Sequence, residues 1–227
     1  MQPIIVAISG EPKSGKTHFA CTAPQPIRIF DFDRGSIFVA ESKFVGQNIT
    51  VSQHFLDLWG KEKTQPIWKD FETQYKAALK DPEIATIVID TATQLWEVVR
   101  LAHFERVQIE SGVSRKRLQP VEYAEPNSLM AAVIKAATSS GKNLILTHYI
   151  REVYDDEGKR TGRYEPDQFK GTNGLADIIL TIESVRKKGQ TGQDALVTIQ
   201  GNRFDRDVIG ATLTNPTFQD VATAAGL

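Results

Sequence analysis

Cysteine is nearly missing from this chain, with Cys21 alone in 227 residues. One thiol cannot form an internal disulfide, so a disulfide-framed secreted domain is excluded and a reducing compartment is expected. Long apolar runs are missing as well. No stretch nears the ~18 consecutive apolar residues of a membrane helix, and no basic segment precedes the first apolar run, so a soluble protein without a membrane partner is expected. Charge of one sign is also lacking, because 27 Lys and Arg stand against 28 Asp and Glu for a formal net charge of −1. That balance excludes nucleic-acid binding through a global positive field and leaves only local basic patches. The chain has no internal repeat, low-complexity segment or linker. With 41% apolar residues, its length suits one α/β domain over residues 1–227.

What is present organises itself around Ile4 to Ala20. The apolar, β-branched run Ile4, Ile5, Val6 and Ile8 leads into Gly10-Glu11-Pro12-Lys13-Ser14-Gly15-Lys16-Thr17, which fits G-x-x-x-x-G-K-[ST]. A helical segment carrying His18 and Cys21 leaves it. Glycines let such a loop turn several N–H groups inward on a polyphosphate, and the start of the following helix adds to the field. Lys16 would reach the β and γ phosphates and the Thr17 hydroxyl would ligate Mg²⁺. The alternative is an ordinary Gly/Ser-rich turn, but eight positions with strand and helix flanks make the pattern specific. Cys21 reads as a packed core thiol.

Further along, Ile27 to Phe30 forms a second strand that runs into Asp31-Phe32-Asp33-Arg34-Gly35. Carboxylates at a strand's carboxyl end lie where α/β sheets hold ligands, which makes Asp33 a candidate to polarise an attacking water. Its alternative is an Asp capping a helix that begins near Ser36. Asn48 to Ser52 reads as a third strand, Trp59 to Pro66 as a polar loop, and Pro66 to about Lys80 as an amphipathic helix. Thr86-Ile87-Val88-Ile89-Asp90 has the form of a Walker B strand, whose terminal Asp90 would hold the Mg²⁺ water shell opposite Thr17. Thr93 can cap a helix to about Ser111. Ser111 to Pro120 is a basic segment with Arg115, Lys116 and Arg117, either a solvated loop or a phosphate-backbone contact.

A helix over about Asn127 to Ser139 precedes a strand from Asn143 to Thr147. If that strand lies between the loop strand and the Asp90 strand, Thr147 or His148 points toward the γ-phosphate; otherwise a lone His is structural. Arg151 to Thr172 interleaves Arg151, Lys159, Arg160, Arg163 and Lys170 with Tyr154, Tyr164 and Phe169. Such a mixture suits single-stranded nucleic acid, with an exposed hairpin loop as the equal alternative. Strands Ile178 to Glu183 and Ala195 to Gln200, joined by a turn at Gly189 to Gly192, complete the sheet. Asn202-Arg203-Phe204-Asp205-Arg206 follows, and a short helix closes the chain after Asn215.

From Ile4 to Arg206 this order of motifs resembles the RecA-like recombination ATPases, especially the compact phage recombinases that keep only the RecA core. The resemblance implies a P-loop NTPase fold of the α/β class, with a mostly parallel central sheet flanked by helices and antiparallel C-terminal strands. IFDFDRG is similar to the family's segment with the catalytic carboxylate, which places that role on Asp33. LILTHYIR resembles the strand ending in the γ-phosphate switch, which implies His148 and Tyr149. Residues 113–124 and 152–173 fall where the family keeps two DNA-contacting loops, and LVTIQGNRF resembles the strand whose terminal cation, here Arg203, reaches the neighbouring subunit's nucleotide. The chain departs from the family in Asp33, where Glu is usual, and in His148-Tyr149, where Asn-Gln is usual.

The resemblance implies an ATP- and Mg²⁺-dependent ATPase, stimulated by single-stranded DNA, that anneals or exchanges strands. It also implies a homo-oligomer, filament or ring, with a single-stranded DNA-binding protein as a further partner, in the cytoplasm of a bacterial host if phage-encoded. Two alternatives stand beside it. One is a P-loop kinase of a small metabolite with 151–163 as a lid, separable by strand order. The other is a non-hydrolysing, ATP-stabilised DNA binder.

Overall fold

The computed structural model describes residues 2–56, 63–112, 115–186 and 192–227. In chain order it runs β1 (Ile5–Ser9), α1 (Lys16–Ala20), β2 (Ile27–Asp31), α2 (Ser36–Lys43), β3 (Ile49–Gln53), α3 (Thr64–Lys80), β4 (Thr86–Asp90) and α4 (Ala92–Ser111). A 3₁₀ turn at Pro120–Tyr123 leads to α5 (Ala124–Ser139), β5 (Asn143–Tyr154), β6 (Arg160–Asp167), α6 (Thr172–Leu175), β7 (Ile178–Val185), β8 (Asp194–Asn202), β9 (Thr212–Thr214) and α7 (Phe218–Ala224).

The strands form one sheet in the order β3-β2-β4-β5-β1-β7-β8-β9, with β6 paired to β5. Pairings from β3 through β7 are parallel, whereas β5–β6, β7–β8 and β8–β9 are antiparallel. This is the mixed α/β core expected of a P-loop NTPase, mostly parallel with antiparallel C-terminal strands. β1 and β4 are buried at every residue, as strands covered by helices on both faces must be. On one face Val6, Ile8, Ile29, Val88 and Ile145 pack against Phe19 of α1 and Phe218 of α7. On the other, Phe30, Ile87, Ile89, Leu144 and Leu146 pack against Phe71, Leu95, Met130 and Ile134 of α3, α4 and α5. No helix among the described residues is long and apolar enough to cross a membrane.

Several boundaries differ from those read in the sequence, each for a long-range reason. Thr91, not Thr93, caps α4 by accepting a bond from Gln94 N, while Thr93 donates to Asp167 O and accepts from Tyr149 N. α3 begins at Thr64, before Pro66, because the Glu105 carboxylate of α4 accepts the free Thr64 and Gln65 N–H groups at 2.8 and 3.0 Å. β5 continues seven residues past Thr147, so much of 151–172 is a hairpin and not a loop. Residues 59–62 of the expected polar loop, 113–114 of the basic segment and 189–191 of the expected turn lie outside the described residues.

Phe71 has no exposure and meets Phe30, Phe32, Trp68 and Tyr75 at ring-centroid distances of 5.2 to 5.7 Å. Phe71→Ala is therefore expected to lower the urea-unfolding free energy by about 3–5 kcal/mol. A loss near zero would contradict this packing.

Candidate nucleotide site

β1 ends at Ser9, and the loop it feeds passes under β7. At Gly10 a Cβ would stand 2.3 Å from the Ile182 carbonyl oxygen, so only glycine fits, and Gly15 opens α1 with φ +103°. The Lys16 Nζ donates to the carbonyls of Gly10 (2.8 Å) and Glu11 (2.7 Å) and sits 5.6 Å from the Tyr149 ring centroid. Burial pulls the Lys16 pKa down, opposed by the charges of Asp90, Asp33 and Glu11. The first N–H groups of α1 have no intrahelical acceptor, and such donors suit phosphate oxygens.

β4 brings Asp90 to the same edge, 3% exposed. Its Oδ2 accepts the hydroxyls of Thr17 and Ser36, both at 2.7 Å, and its Oδ1 accepts that of Thr147. Thr17 thus spends its proton on Asp90 and keeps oxygen lone pairs for a cation. Mg²⁺ is held by one or two protein ligands plus substrate phosphates and waters, and Thr17 with Asp90 fits that pattern.

Beside Asp90 in register lies Asp31, fully buried. It accepts from Asp33 N (2.9 Å) and Ser36 N (3.2 Å), so the acid that caps α2 is Asp31 and not Asp33. Burial raises the Asp31 pKa, with Asp90 adding to the rise and backbone N–H donors opposing it. Asp33 is exposed and stands near the Tyr149 side chain; burial, then this neighbouring carboxylate, pushes the Tyr149 pKa up.

A cavity of about 520 Å³ lies over these groups, lined by Lys16, Thr17, Asp33, Asp90 and Tyr149 together with Pro12, Lys13 and His18. A second, about 350 Å³, has Ser14, Phe19, Ile182, Ala195 and Pro216 in its wall. The two share Lys13, Gly15 and His18, so the cavity over the loop adjoins the one beside Ile182 and Ala195. Together they have the size a nucleotide needs. The family model for the AAA domain matches residues 2–206. The chain belongs to the AAA domain family. No curated protein matches it.

Within this AAA domain, a P-loop ATPase-type domain, β5 separates β1 from β4. Side chains alternate along a strand, so Thr147 and Tyr149 face Asp90 and the cavity while His148 shares the opposite face with Leu144 and Leu146. The structure therefore brings Thr147, not His148, to the acid. The His148 ring is fully buried with no hydrogen-bond partner among the described residues for either nitrogen, and burial, then the Lys16 charge, pushes its pKa down to about 3.

Arg203 is nowhere near its own chain's loop. β8 runs against β7, so Arg203 emerges beside Ile178 at the opposite edge of the sheet, ion-paired to Asp177 at 2.7 Å. Among the expected DNA contacts, Arg115 is paired with Glu122 (2.8 Å) and Arg160 with Glu152 (3.4 Å). In the hairpin Arg151 and Lys159 are paired as well, with Glu165 and Glu157. Lys116, Arg117, Arg163 and Lys170 are exposed. Tyr154 and Tyr164 are also exposed, whereas Phe169 is buried against Trp96 and cannot stack on a base. Sequence reasoning missed Asp31 and Ser36, although extending the β2 alternation Ile27, Ile29 by one step would have pointed Asp31 at the site.

The unfolded imidazole titrates near 6.5 and the folded His148 near 3, so the unfolded chain binds the extra proton between those values. His148 thus lowers stability as pH falls from 6.5 to 3, by up to ~1.4 kcal/mol per pH unit. Unfolding curves between pH 6.5 and 4 should be steeper in pH for the native chain than for His148→Gln, and equal slopes would contradict this burial.

Proposed function

We propose that this AAA domain binds and hydrolyses Mg²⁺-ATP, and that it does so on single-stranded DNA as a RecA-core protein that anneals or exchanges strands. The observation that carries the nucleotide half is the Thr17–Asp90 bond beneath the loop that holds Lys16. In the proposed reaction Lys16 turns from the Gly10 and Glu11 carbonyls to the β and γ phosphates. Thr17 and Asp90 hold the cation, which when bound offsets charge on the transferred phosphoryl group. Asp33 orients the attacking water beside Tyr149, and Tyr149 carries changes there to the hairpin that begins at its own backbone.

Strand order opposes the kinase reading, because kinases typically place the Walker B strand beside the loop strand and here β5 intervenes. The non-hydrolysing reading draws on Asp33 itself, a carboxylate one methylene shorter than the usual Glu. Turnover of ATP decides between them.

The DNA half draws on the resemblance and on the exposed Lys116, Arg117, Arg163 and Lys170 with Tyr154 and Tyr164. The position of Arg203 supports a head-to-tail homo-oligomer, filament or ring, since only a neighbouring copy could present it to a nucleotide. A single-stranded DNA-binding protein fits as a further partner.

ATP turnover with and without single-stranded DNA tests the proposal. DNA should raise the native rate, and folded Lys16→Ala should show only background; near-native turnover by Lys16→Ala would overturn the nucleotide half. For DNA, the double change Arg163→Ala, Lys170→Ala should weaken binding and flatten the log affinity against log salt plot by about 0.7 per lost phosphate contact. An unchanged affinity and slope would remove the hairpin from the DNA surface.

A further inference from the structure

The groups around Asp90 include one that no part of the phosphate-loop chemistry requires. Ser36 begins α2, 54 residues away from Asp90 in sequence, is completely buried, and gives its hydroxyl to Asp90 Oδ2 at 2.7 Å. The same oxygen takes the Thr17 hydroxyl, also at 2.7 Å. Ser36 is itself fixed by its backbone, whose N–H donates to Asp31 Oδ2 at 3.2 Å. Asp31 in turn is the register neighbour of Asp90 across β2 and β4. The result is a closed circuit of Asp31, Ser36 and Asp90, tied at both ends to adjacent strands.

We propose that Ser36 is a positioning residue for the metal at this site, setting the rotation of the Asp90 carboxylate so that Oδ2 stays aligned with Thr17. This inference rests on the nucleotide-site reading above and specifies one part of it. Oδ2 carries two acceptor positions in the carboxylate plane. With Ser36 on the buried side and Thr17 on the cavity side, the carboxylate cannot swing without breaking one bond, and Thr147 on Oδ1 braces the other oxygen. Mg²⁺ accepts little departure from octahedral geometry, so a carboxylate with a free torsion holds its water shell poorly. Removing a hydrogen-bond partner behind a metal ligand typically weakens metal affinity by about 10- to 100-fold.

Ser36→Ala separates this role from a structural one, because the backbone bond to Asp31 and the start of α2 survive the change. The measurement is binding of a fluorescent ATP analogue to the full chain, titrated with magnesium and repeated in EDTA. Ser36→Ala should bind the analogue as the native chain does in EDTA, yet require about tenfold more magnesium to reach half of its magnesium-dependent gain in affinity. Ser36→Thr, which restores a hydroxyl, should return the midpoint toward the native value. A native magnesium midpoint in Ser36→Ala overturns the inference, as does an equal loss in EDTA and magnesium, or a folded Ser36→Thr that stays at the alanine value. Those results leave the nucleotide site standing. A native chain that binds no analogue under either condition overturns that site, and this inference with it.

Discussion

A buried carboxylate has to be satisfied or it destabilises the fold, and Asp90 is satisfied by three hydroxyls from three separate elements. Thr17 comes from α1, Ser36 from α2 and Thr147 from β5. None is a cation, so the carboxylate keeps its charge available and stays close to a place a metal could take. The same three bonds constrain the architecture. They hold together only if β4 has β2 on one side and β5 on the other, and if the phosphate loop arrives from β1 one strand further on, which is the observed order.

The two faces of the sheet divide the labour. α1 and α7 cover the face that carries Asp31, Asp90, Thr147 and Tyr149, so the polar groups of the site gather at its carboxyl edge. α3, α4 and α5 cover the other face with a nearly unbroken apolar layer. His148 points into that side, and this is why a histidine flanked by two site residues ends up unprotonated and without a hydrogen-bond partner among the described residues. Tyr149 joins site to surface: it lines the cavity together with Asp33, its N–H is fixed by Thr93, and the antiparallel hairpin starts at its pairing with Asp167. A change at Asp33 therefore has a short, continuous route to the exposed tyrosines of the hairpin.

What could be read from the sequence was the chemistry that is local in it. The loop from Gly10 to Thr17 works through eight consecutive positions, and Asp90 ends a strand whose apolar run is its own evidence. The α/β class followed from apolar runs alternating with helical segments, and the antiparallel finish was implied by the resemblance. Harder were the roles set by register or by distant partners. Asp31 matters because it pairs beside Asp90, Ser36 because α2 folds back onto β4, and Glu105 because it caps a helix that begins 41 residues earlier. Burial misled twice. Thr147-His148-Tyr149 looked like the end of a strand because it is polar, yet β5 continues through it, and Phe169 looked like a stacking ring among cations when it belongs to the core against Trp96.

A structure determined with Mg²⁺ and a non-hydrolysable ATP analogue tests the central claim most directly. The account predicts a metal about 2.0–2.1 Å from the Thr17 Oγ, with Asp90 and its hydroxyl donors unmoved and Lys16 shifted from the Gly10 and Glu11 carbonyls onto the phosphates. A nucleotide bound away from this loop, with Lys16 still on those two carbonyls, would contradict it.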